Sequence, residues 1–279
     1  MRGHRVRVDV GRPGAEPMIP KFFHRLCDDA AAFPPGNAPL DVAAAQHLEY
    51  RASSFADLVG PLVVPMDRVN ELVLGARMEV ALTAPAGPGS VEAGLRVADR
   101  TAGVTVVAVE VAVPDGTNID ALRNITQDID IYVEIPRDSR RDDIFDAVDE
   151  FGYRAKFRTG GVTADEYPDE RELAASIYEA AQREVHFKAT AGLHHAARNT
   201  DPHNGFEQHG FLNVILAAQA AHSGARVGEL EKILAIRDAD VLAGLVAGIE
   251  GQRAFASFGT CSISEPLDDL VRLGLVPPQ

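Results

Sequence analysis

The chain has 279 residues, of which 46 % are hydrophobic and 24 % are charged, and its formal net charge is −14. These proportions are ordinary for a globular protein with a sizeable core, but the negative charge disfavours general nucleic-acid binding, which needs a basic face. Two distant cysteines disfavour a disulfide framework, and the lack of long apolar runs disfavours membrane spans and a secretory signal, so we expect a cytoplasmic protein.

The first 56 residues are predicted to form an N-terminal extension ahead of a barrel domain at 57–279. The first 20 or so residues are rich in glycine, proline and arginine, and we expect them to be loosely ordered. Two helical segments follow at 21–33 and 39–53, and Asp41 is a plausible cap for the second. The extension is therefore expected to be helical after a flexible start.

From residue 58 onward, short β-branched runs alternate with amphipathic helical segments. Seven runs predict strands, at 58–65, 78–85, 104–114, 128–136, 153–161, 185–192 and 254–262. Strands that alternate with helices are typical of βαβ units and a parallel sheet. Seven in series favour an α/β, TIM-like (β/α)8 barrel, whereas an open doubly wound sheet is disfavoured because no G-x-G-x-x-G turn follows a strand.

The eighth strand of such a barrel has no clear candidate in the sequence. The run "RVRVDV" at 5–10 and a short piece within 225–250 are both open, and so is a barrel that is incomplete or distorted.

Ionisable residues fall on one face of three consecutive predicted strands: Glu134 on the fourth, Lys156 and Arg158 on the fifth, and Lys188 on the sixth. Alternate strand residues point into a barrel, and active sites lie at the C-terminal ends of the strands. Because unpaired charges are costly to bury, this pattern predicts a polar pocket, which Glu110 of the third strand would join. The alternative is a salt-bridged plug inside the barrel.

Lys188 is one of only four lysines in a chain with 23 arginines. A lysine at this position favours a role for a compact amine that can lose its proton. We expect the neighbouring cations Lys156 and Arg158 to lower the pKa of Lys188, as a Schiff-base nucleophile requires. We expect Glu134 to orient or deprotonate the reacting groups. Binding of a substrate anion by Lys188 and a structural ion pair with Glu134 are the alternatives.

The segment "FKATAG" at 187–192 resembles the lysine strand of deoxyribose-phosphate aldolases over a few residues. The resemblance implies Schiff-base chemistry with Lys188 as the amine. In that family a second lysine lies on the following strand, in a Lys-Pro-Ala-Gly-Gly segment, whereas here "KFRTGG" at 156–161 lies one strand earlier. Lys156 would therefore have to act from the opposite side.

Five segments of the chain also resemble an uncharacterised bacterial protein family, with which no activity is associated. They are "FPPGNAPL", "KFRTGG", "FKATAGLHH", "HGFLNV" and "FGTCSISEP".

Six of the nine histidines fall between residues 186 and 222, mostly in a long loop after the sixth predicted strand. Long loops at the mouth of a barrel usually carry function, so we predict that His194 or His195 transfers a proton. No compact zinc motif is present, and no cofactor is predicted. If a divalent metal binds, its candidate ligands are His194, His195, His203 and His209.

Small and hydroxyl-bearing residues at strand ends predict recognition of a phosphate or carboxylate, because barrels often bind anions with late loops and a helix N-terminus. The predicted anion ligands are Lys156, Arg158, Gly160, Gly161, Thr190, Gly259, Thr260 and Ser262. For Gly259, Thr260 and Ser262, the alternative is a turn that ends in ordinary capping of the next helix by Ser264. Cys261 is interpreted as a small buried side chain, because no base is evident beside it.

Together these patterns predict a lyase or aldolase-type enzyme for a small anionic carbonyl compound or sugar-phosphate-like metabolite. One alternative is a metal-dependent lyase or hydrolase that uses the histidine loop, and another is a non-catalytic metabolite-binding barrel. The expected partners are the metabolite and, in a homodimer, a second copy of the chain, but neither nucleic acid nor a membrane.

Overall fold

The computed structural model describes residues 18–125 and 128–278, and within these ranges eight parallel strands close into a barrel. The barrel strands are β1 (Cys27–Asp29), β2 (Val59–Pro65), β3 (Met78–Ala84), β4 (Val104–Val111), β5 (Asp130–Glu134), β6 (Arg154–Arg158), β7 (Phe187–Thr190) and β10 (Phe258–Thr260). Two short strands, β8 (Asn199–Thr200) and β9 (Glu207–Gln208), form a separate antiparallel pair between β7 and β10. The predicted α/β, TIM-like barrel is therefore confirmed.

Helices connect most of the strands and cover the outside of the barrel. They are α1 (Leu40–Arg51), α2 (Val91–Ala98), α3 (Arg141–Glu150), α4 (Glu170–Gln182), α5 (Phe211–His222), α6 (Val227–Leu234), α7 (Ala239–Ala247) and α8 (Ser264–Arg272). Two connections, from β2 to β3 and from β4 to β5, contain 3-10 helices instead, at Met66–Glu71 and Ile119–Asn124. No helix in the described ranges is long and apolar enough to cross a membrane.

Helix α4 illustrates how the outer layer forms. Its N-cap Asp169 accepts a hydrogen bond from the backbone N–H of Glu172 at 2.8 Å, which satisfies one of the free donors of the first turn. Leu173, Ile177 and Ala180 recur at helical spacing and are buried. This apolar stripe packs into the core between helices and barrel.

The strand that completes the barrel is β1, and it lies inside the segment for which a helix was predicted at 21–33. That helix prediction is wrong, because the segment contains a 3-10 turn at Lys21–Phe23, the strand Cys27–Asp29 and then turns. β1 pairs in parallel with β10 on one side and with β2 on the other. Three residues are too few for the period-2 alternation that identifies a strand.

The other proposals for the eighth strand are not what closes the barrel. The segment 5–10 lies outside the described residues, and 225–250 contains α6 and α7. The second predicted helix is confirmed as α1, which connects β1 to β2. Barrel elements are thus present before residue 57.

The two faces of the barrel strands pack differently, as the alternation predicts. Ile131 and Val133 of β5 belong to the large apolar core on the helix side. Tyr132, between them, packs inside the barrel in a small cluster with Val63, Ala81 and Ala108. The same alternation directs the ionisable residues of β4 to β7 toward the barrel interior, above this apolar cluster.

Candidate functional site

A chain of buried ion pairs crosses the interior of the barrel. The Nζ atom of Lys188 lies 2.5 Å from Oδ2 of Asp28 and 2.5 Å from Oε1 of Glu110. The Ser257 hydroxyl also donates to Oδ2 of Asp28, at 2.8 Å. Lys188, Asp28 and Glu110 are each at most 3 % exposed, so this part of the barrel is a closed salt-bridged unit.

The chain continues toward the mouth of the barrel through Glu110. Its other oxygen, Oε2, lies 3.1 Å from Nζ of Lys156, which is also 3.1 Å from Oε2 of Glu134. Oε1 of Glu134 in turn accepts a hydrogen bond from Nε of Arg158 at 3.0 Å. Each carboxylate of this stretch therefore lies between two cations, and exposure increases from Glu110 to Arg158.

The electrostatics of Lys188 are opposite to the prediction. Burial alone lowers the pKa of Lys188, but the carboxylates of Asp28 and Glu110 outweigh burial and raise the pKa above its usual value. Burial raises the pKa of Glu110, but Lys188 and Lys156 hold it at about 2. The prediction that neighbouring cations lower the pKa of Lys188 is thus wrong, because the carboxylates are closer.

A cavity of about 790 Å³ opens at the C-terminal ends of the strands, where barrel enzymes have their active sites. Four ionisable members of the ion-pair chain line it: Glu110, Glu134, Lys156 and Arg158. Its walls include several of the predicted site residues, namely Gly161, Thr190, His194, Gly259 and Thr260, together with His203. The structure therefore brings cations, hydroxyl groups and two histidines around one space.

Other predicted site residues lie outside the cavity lining. Lys188 is beneath its floor, 1 % exposed. Nδ1 of His195 lies 3.5 Å from Oδ2 of Asp269, and the His195 side chain is 49 % exposed. The Ser262 hydroxyl lies 3.0 Å from the hydroxyl of Ser264, at the start of α8.

Gly160 serves close packing between two strand ends. A Cβ atom at Gly160 would lie 2.9 Å from the Cα of Gly192 and 2.9 Å from Cε1 of Tyr167. Gly192 has a φ of +75°, a conformation that side chains disfavour. These two glycines let the segments that follow β6 and β7 approach each other directly.

The four histidines named as candidate metal ligands do not form one cluster, although His194 and His203 both line the cavity. His209 is buried, with Nε2 2.9 Å from the carbonyl oxygen of Pro168, and its pKa is lowered to about 4, mainly by burial. His203 lies in the exposed turn between β8 and β9. In the part of the chain that the structure describes, no three His, Cys, Asp or Glu side chains are placed to hold a metal ion.

His194 has two partners that sequence reasoning did not connect. Its Nδ1 lies 2.9 Å from Oε2 of Glu265 in the first turn of α8, and its side chain lies close to Cys261. Cys261 and His194 both line the cavity. The feature of the sequence that could have linked these residues is the spacing of Cys261 and Glu265. They lie four residues apart, one just after a strand and the other in the first turn of the next helix.

These three residues meet because their strands are neighbours. β7 and β10 pair in parallel, so the loops that follow them, which carry His194 and Cys261, lie side by side at the cavity. Contact with Cys261 raises the pKa of His194 most, burial opposes this effect, and Glu265 adds to it, so the pKa of His194 is about 9.

The raised pKa of His194 predicts a specific pH dependence of stability. His194 binds its proton more tightly in the folded chain than in the unfolded chain, where the pKa of histidine is near 6.5. The stabilising contribution is therefore complete below that value and is lost as the pH rises through about 9. Between about pH 6 and about pH 10, we expect the difference in unfolding free energy between wild type and His194→Gln to fall by roughly 2 kcal/mol.

Urea denaturation of both proteins at the two pH values measures this difference. The exposed His222 at the end of α5 provides the matched control, His222→Gln, for which no comparable loss is expected. An equal difference for His194→Gln at both pH values would show that His194 is not held protonated by its neighbours.

Comparison of the chain with protein-family models, with curated proteins and with solved structures finds no match. The resemblances to aldolases and to an uncharacterised bacterial family therefore stay predictions. The functional interpretation depends on the barrel and on the residues around its cavity.

Proposed function

We propose that this chain is an enzyme of the lyase type that acts on a small anionic carbonyl compound in the cavity at the barrel mouth. The observation that carries the proposal is the contact between Lys156 and Glu134, whose Nζ and Oε2 atoms are 3.1 Å apart and which both line the cavity. In such a pair, the ammonium group can stabilise negative charge on a carbonyl oxygen of the substrate. The carboxylate can act as the base that accepts a proton from a neighbouring atom.

Each cavity residue has a defined part in an aldol cleavage. Arg158 binds the anionic group of the substrate, and Lys156 stabilises negative charge on the carbonyl oxygen. Glu134 accepts the proton of the β-hydroxyl group, the carbon–carbon bond breaks, and its electron pair forms the enolate. Glu134, which lines the cavity, then returns this proton to the enolate carbon.

The charge state of Glu134 supports its role as the base. Burial raises the pKa of Glu134, but Lys156 and Arg158 outweigh burial and lower it, so the group is a carboxylate at neutral pH. Because Lys156 and Arg158 also face the cavity, a substrate anion bound there adds negative charge near Glu134. We infer that this charge increases the basicity of the carboxylate during the reaction.

For Lys188 we infer a positioning role in place of imine formation. The aldolase resemblance implies an amine nucleophile here, but imine formation needs a neutral amine in contact with the substrate. Lys188 lies outside the cavity lining and is held by Asp28 and Glu110. It fixes Glu110, which in turn orients the ammonium of Lys156.

The proposal predicts that Glu134→Gln abolishes proton abstraction next to a carbonyl group. Exchange of α-hydrogens in D2O, followed by NMR, reports this step without knowledge of the full reaction, so we choose pyruvate, 2-oxobutyrate and dihydroxyacetone phosphate as probes. We expect wild type to exchange at least one probe and Glu134→Gln to be slower by roughly 10²-fold or more, because the amide cannot accept the proton.

The exposed Glu250 supplies the matched control, Glu250→Gln, which should exchange like wild type. Borohydride added during exchange separates the two possible roles of lysine, because it converts an imine into a stable adduct. The absence of an adduct is expected if lysine only stabilises charge, whereas an adduct on Lys188 would support the imine mechanism. Exchange at the wild-type rate in Glu134→Gln, or no exchange of any probe, would contradict the proposal.

A further inference from the structure

We propose that Cys261, His194 and Glu265 form a thiol nucleophile, general base and orienting carboxylate that hydrolyse small ester or thioester substrates carrying a negative charge. This second activity shares the cavity with the lyase reaction but uses a thiol in place of the Lys156–Glu134 pair. The inference does not depend on carbon–carbon bond cleavage.

The structure has the two contacts that such a triad requires. Glu265 Oε2 lies 2.9 Å from Nδ1 of His194, which orients the ring and leaves Nε2 as the nitrogen available to the thiol. Cys261 lies close to His194, since both residues line the cavity in loops that follow the paired strands β7 and β10, and Cys261 is the main cause of the raised pKa of His194. His194 is 17 % exposed, whereas Glu265 is 45 % exposed and stands behind the ring, away from the cavity lining.

The position of Cys261 suits a thiolate that meets a substrate. The residue is partly exposed, lines the cavity and lies three residues before the start of α8, whose N-terminus favours negative charge. Gly36 lies directly against it, since a Cβ atom there would be 3.1 Å from the Cβ of Cys261. The other cysteine, Cys27, is fully buried in β1 and has no access to the cavity.

The chemical steps balance with water as the second reactant. The proton of the Cys261 thiol passes to His194, the sulfur bonds to the carbonyl carbon, and the carbon–oxygen π electrons move to the oxygen. When the tetrahedral intermediate collapses, the bond to the leaving group breaks and His194 protonates the departing alcohol or thiol. Water, deprotonated by His194, then attacks the acylated Cys261 and releases a carboxylic acid and the thiol.

The two cations in the cavity favour a substrate with a negative charge. Lys156 and Arg158 line the same space as Cys261, and a terminal carboxylate of a short acyl chain can bind them while its carbonyl group meets the sulfur. A neutral acyl chain of similar length lacks this interaction. We therefore expect preference for acyl groups derived from dicarboxylic acids.

The test compares mono-4-nitrophenyl succinate with 4-nitrophenyl acetate in rapid-mixing kinetics. With wild type and the succinate ester we expect a burst of about one nitrophenolate per chain, followed by slower turnover, as for an acyl-enzyme. Mass spectrometry of the quenched protein should place the succinyl group on the peptide that contains Cys261. The neutral acetate ester should react more slowly.

Substitutions separate the roles within the triad. Cys261→Ala should show no burst, and His194→Gln should acylate roughly 10²-fold more slowly because the base is lost. Glu265→Gln should be slower by about tenfold, because the carboxylate acts through the ring of His194. The exposed His222→Gln is the control for His194→Gln and should keep the wild-type burst.

A persistent burst in Cys261→Ala, acyl transfer to any other residue, or wild-type acylation by His194→Gln would overturn the proposal. If a variant fails to fold, alkylation of wild type by iodoacetamide decides the question: we expect modification of Cys261 and not of Cys27, with loss of the burst. An alkylated protein that still gives the burst would refute the triad. None of these readouts depends on α-hydrogen exchange, so the two proposals fail separately.

Discussion

Replacing Lys188 with methionine is expected to destabilise the protein by about 3–5 kcal/mol, which is the usual result of removing one partner from a buried ion pair. The side chain is 1 % exposed and contacts the carboxylates of Asp28 and Glu110. Methionine has a similar length but no charge, so two carboxylates would remain close together in the barrel with one cation fewer. Urea denaturation at neutral pH measures the loss.

The matched control is Lys232→Met, which makes the same substitution on an exposed face of α6 and should change stability by less than about 0.5 kcal/mol. The triple variant Asp28→Asn, Glu110→Gln, Lys188→Met should recover part of the loss, because no unpaired charge is left. A loss below about 1 kcal/mol in Lys188→Met alone would show that the buried carboxylates take up protons at little cost.

A stabilising role for Lys188 answers why a lysine occurs where most cations are arginine. Its Nζ is a compact group that reaches Oδ2 of Asp28 and Oε1 of Glu110 within one small space. An arginine guanidinium is larger and planar, and its fork suits two oxygens of one carboxylate better than single oxygens of two. The position therefore calls for lysine without requiring a deprotonated amine.

The facing of the strands could be predicted because alternation is a local property. On β5, β6 and β7 the apolar residues recur at every second position, and this pattern places Glu134, Lys156 and Lys188 inside the barrel. Register and burial depend on the same alternation, so these predictions agree with the structure.

The partners of those residues could not be predicted in the same way. Asp28 lies on β1, a three-residue strand whose hydrogen-bonding partners in β10 are more than 200 residues away in the sequence. Neither its strand conformation nor its contact with Lys188 has a local signal. The wrong sign for the pKa of Lys188 follows, because Asp28 had no signal in the sequence and Glu110, although predicted to join the pocket, was not predicted to contact Lys188.

The contact between Cys261 and His194 has the same physical origin. The two residues lie after different strands, and they are brought together because β10 pairs in parallel with β7. The 66 positions between the two residues contain three helices, the β8–β9 pair and β10. The pairing of two strands that are distant in the sequence, more than any local motif, assembles this part of the site.

Asn213 is the polar residue on which the loop after β7 depends, and replacing it with leucine is expected to lower stability by about 3 kcal/mol or more. It is fully buried in the mostly apolar helix α5. Its Nδ2 donates to the carbonyl oxygens of Ile233 and Ile236, at 2.8 Å each, and its Oδ1 accepts from the backbone N–H of Arg198 at 2.9 Å. Leucine fills a similar volume but leaves three backbone groups without these bonds.

Urea denaturation again measures the effect, with the exposed Asn70→Leu as the matched control that should stay within about 0.5 kcal/mol of wild type. Hydrogen exchange locates it: the amide of Arg198 should lose protection in Asn213→Leu beyond the global loss, because its acceptor is gone. Since Arg198 lies four residues after His194, the same variant should also lower the rate of acylation at Cys261. Stability close to wild type would mean that other groups replace the amide, and the loop that carries His194 would then be held by its own backbone contacts.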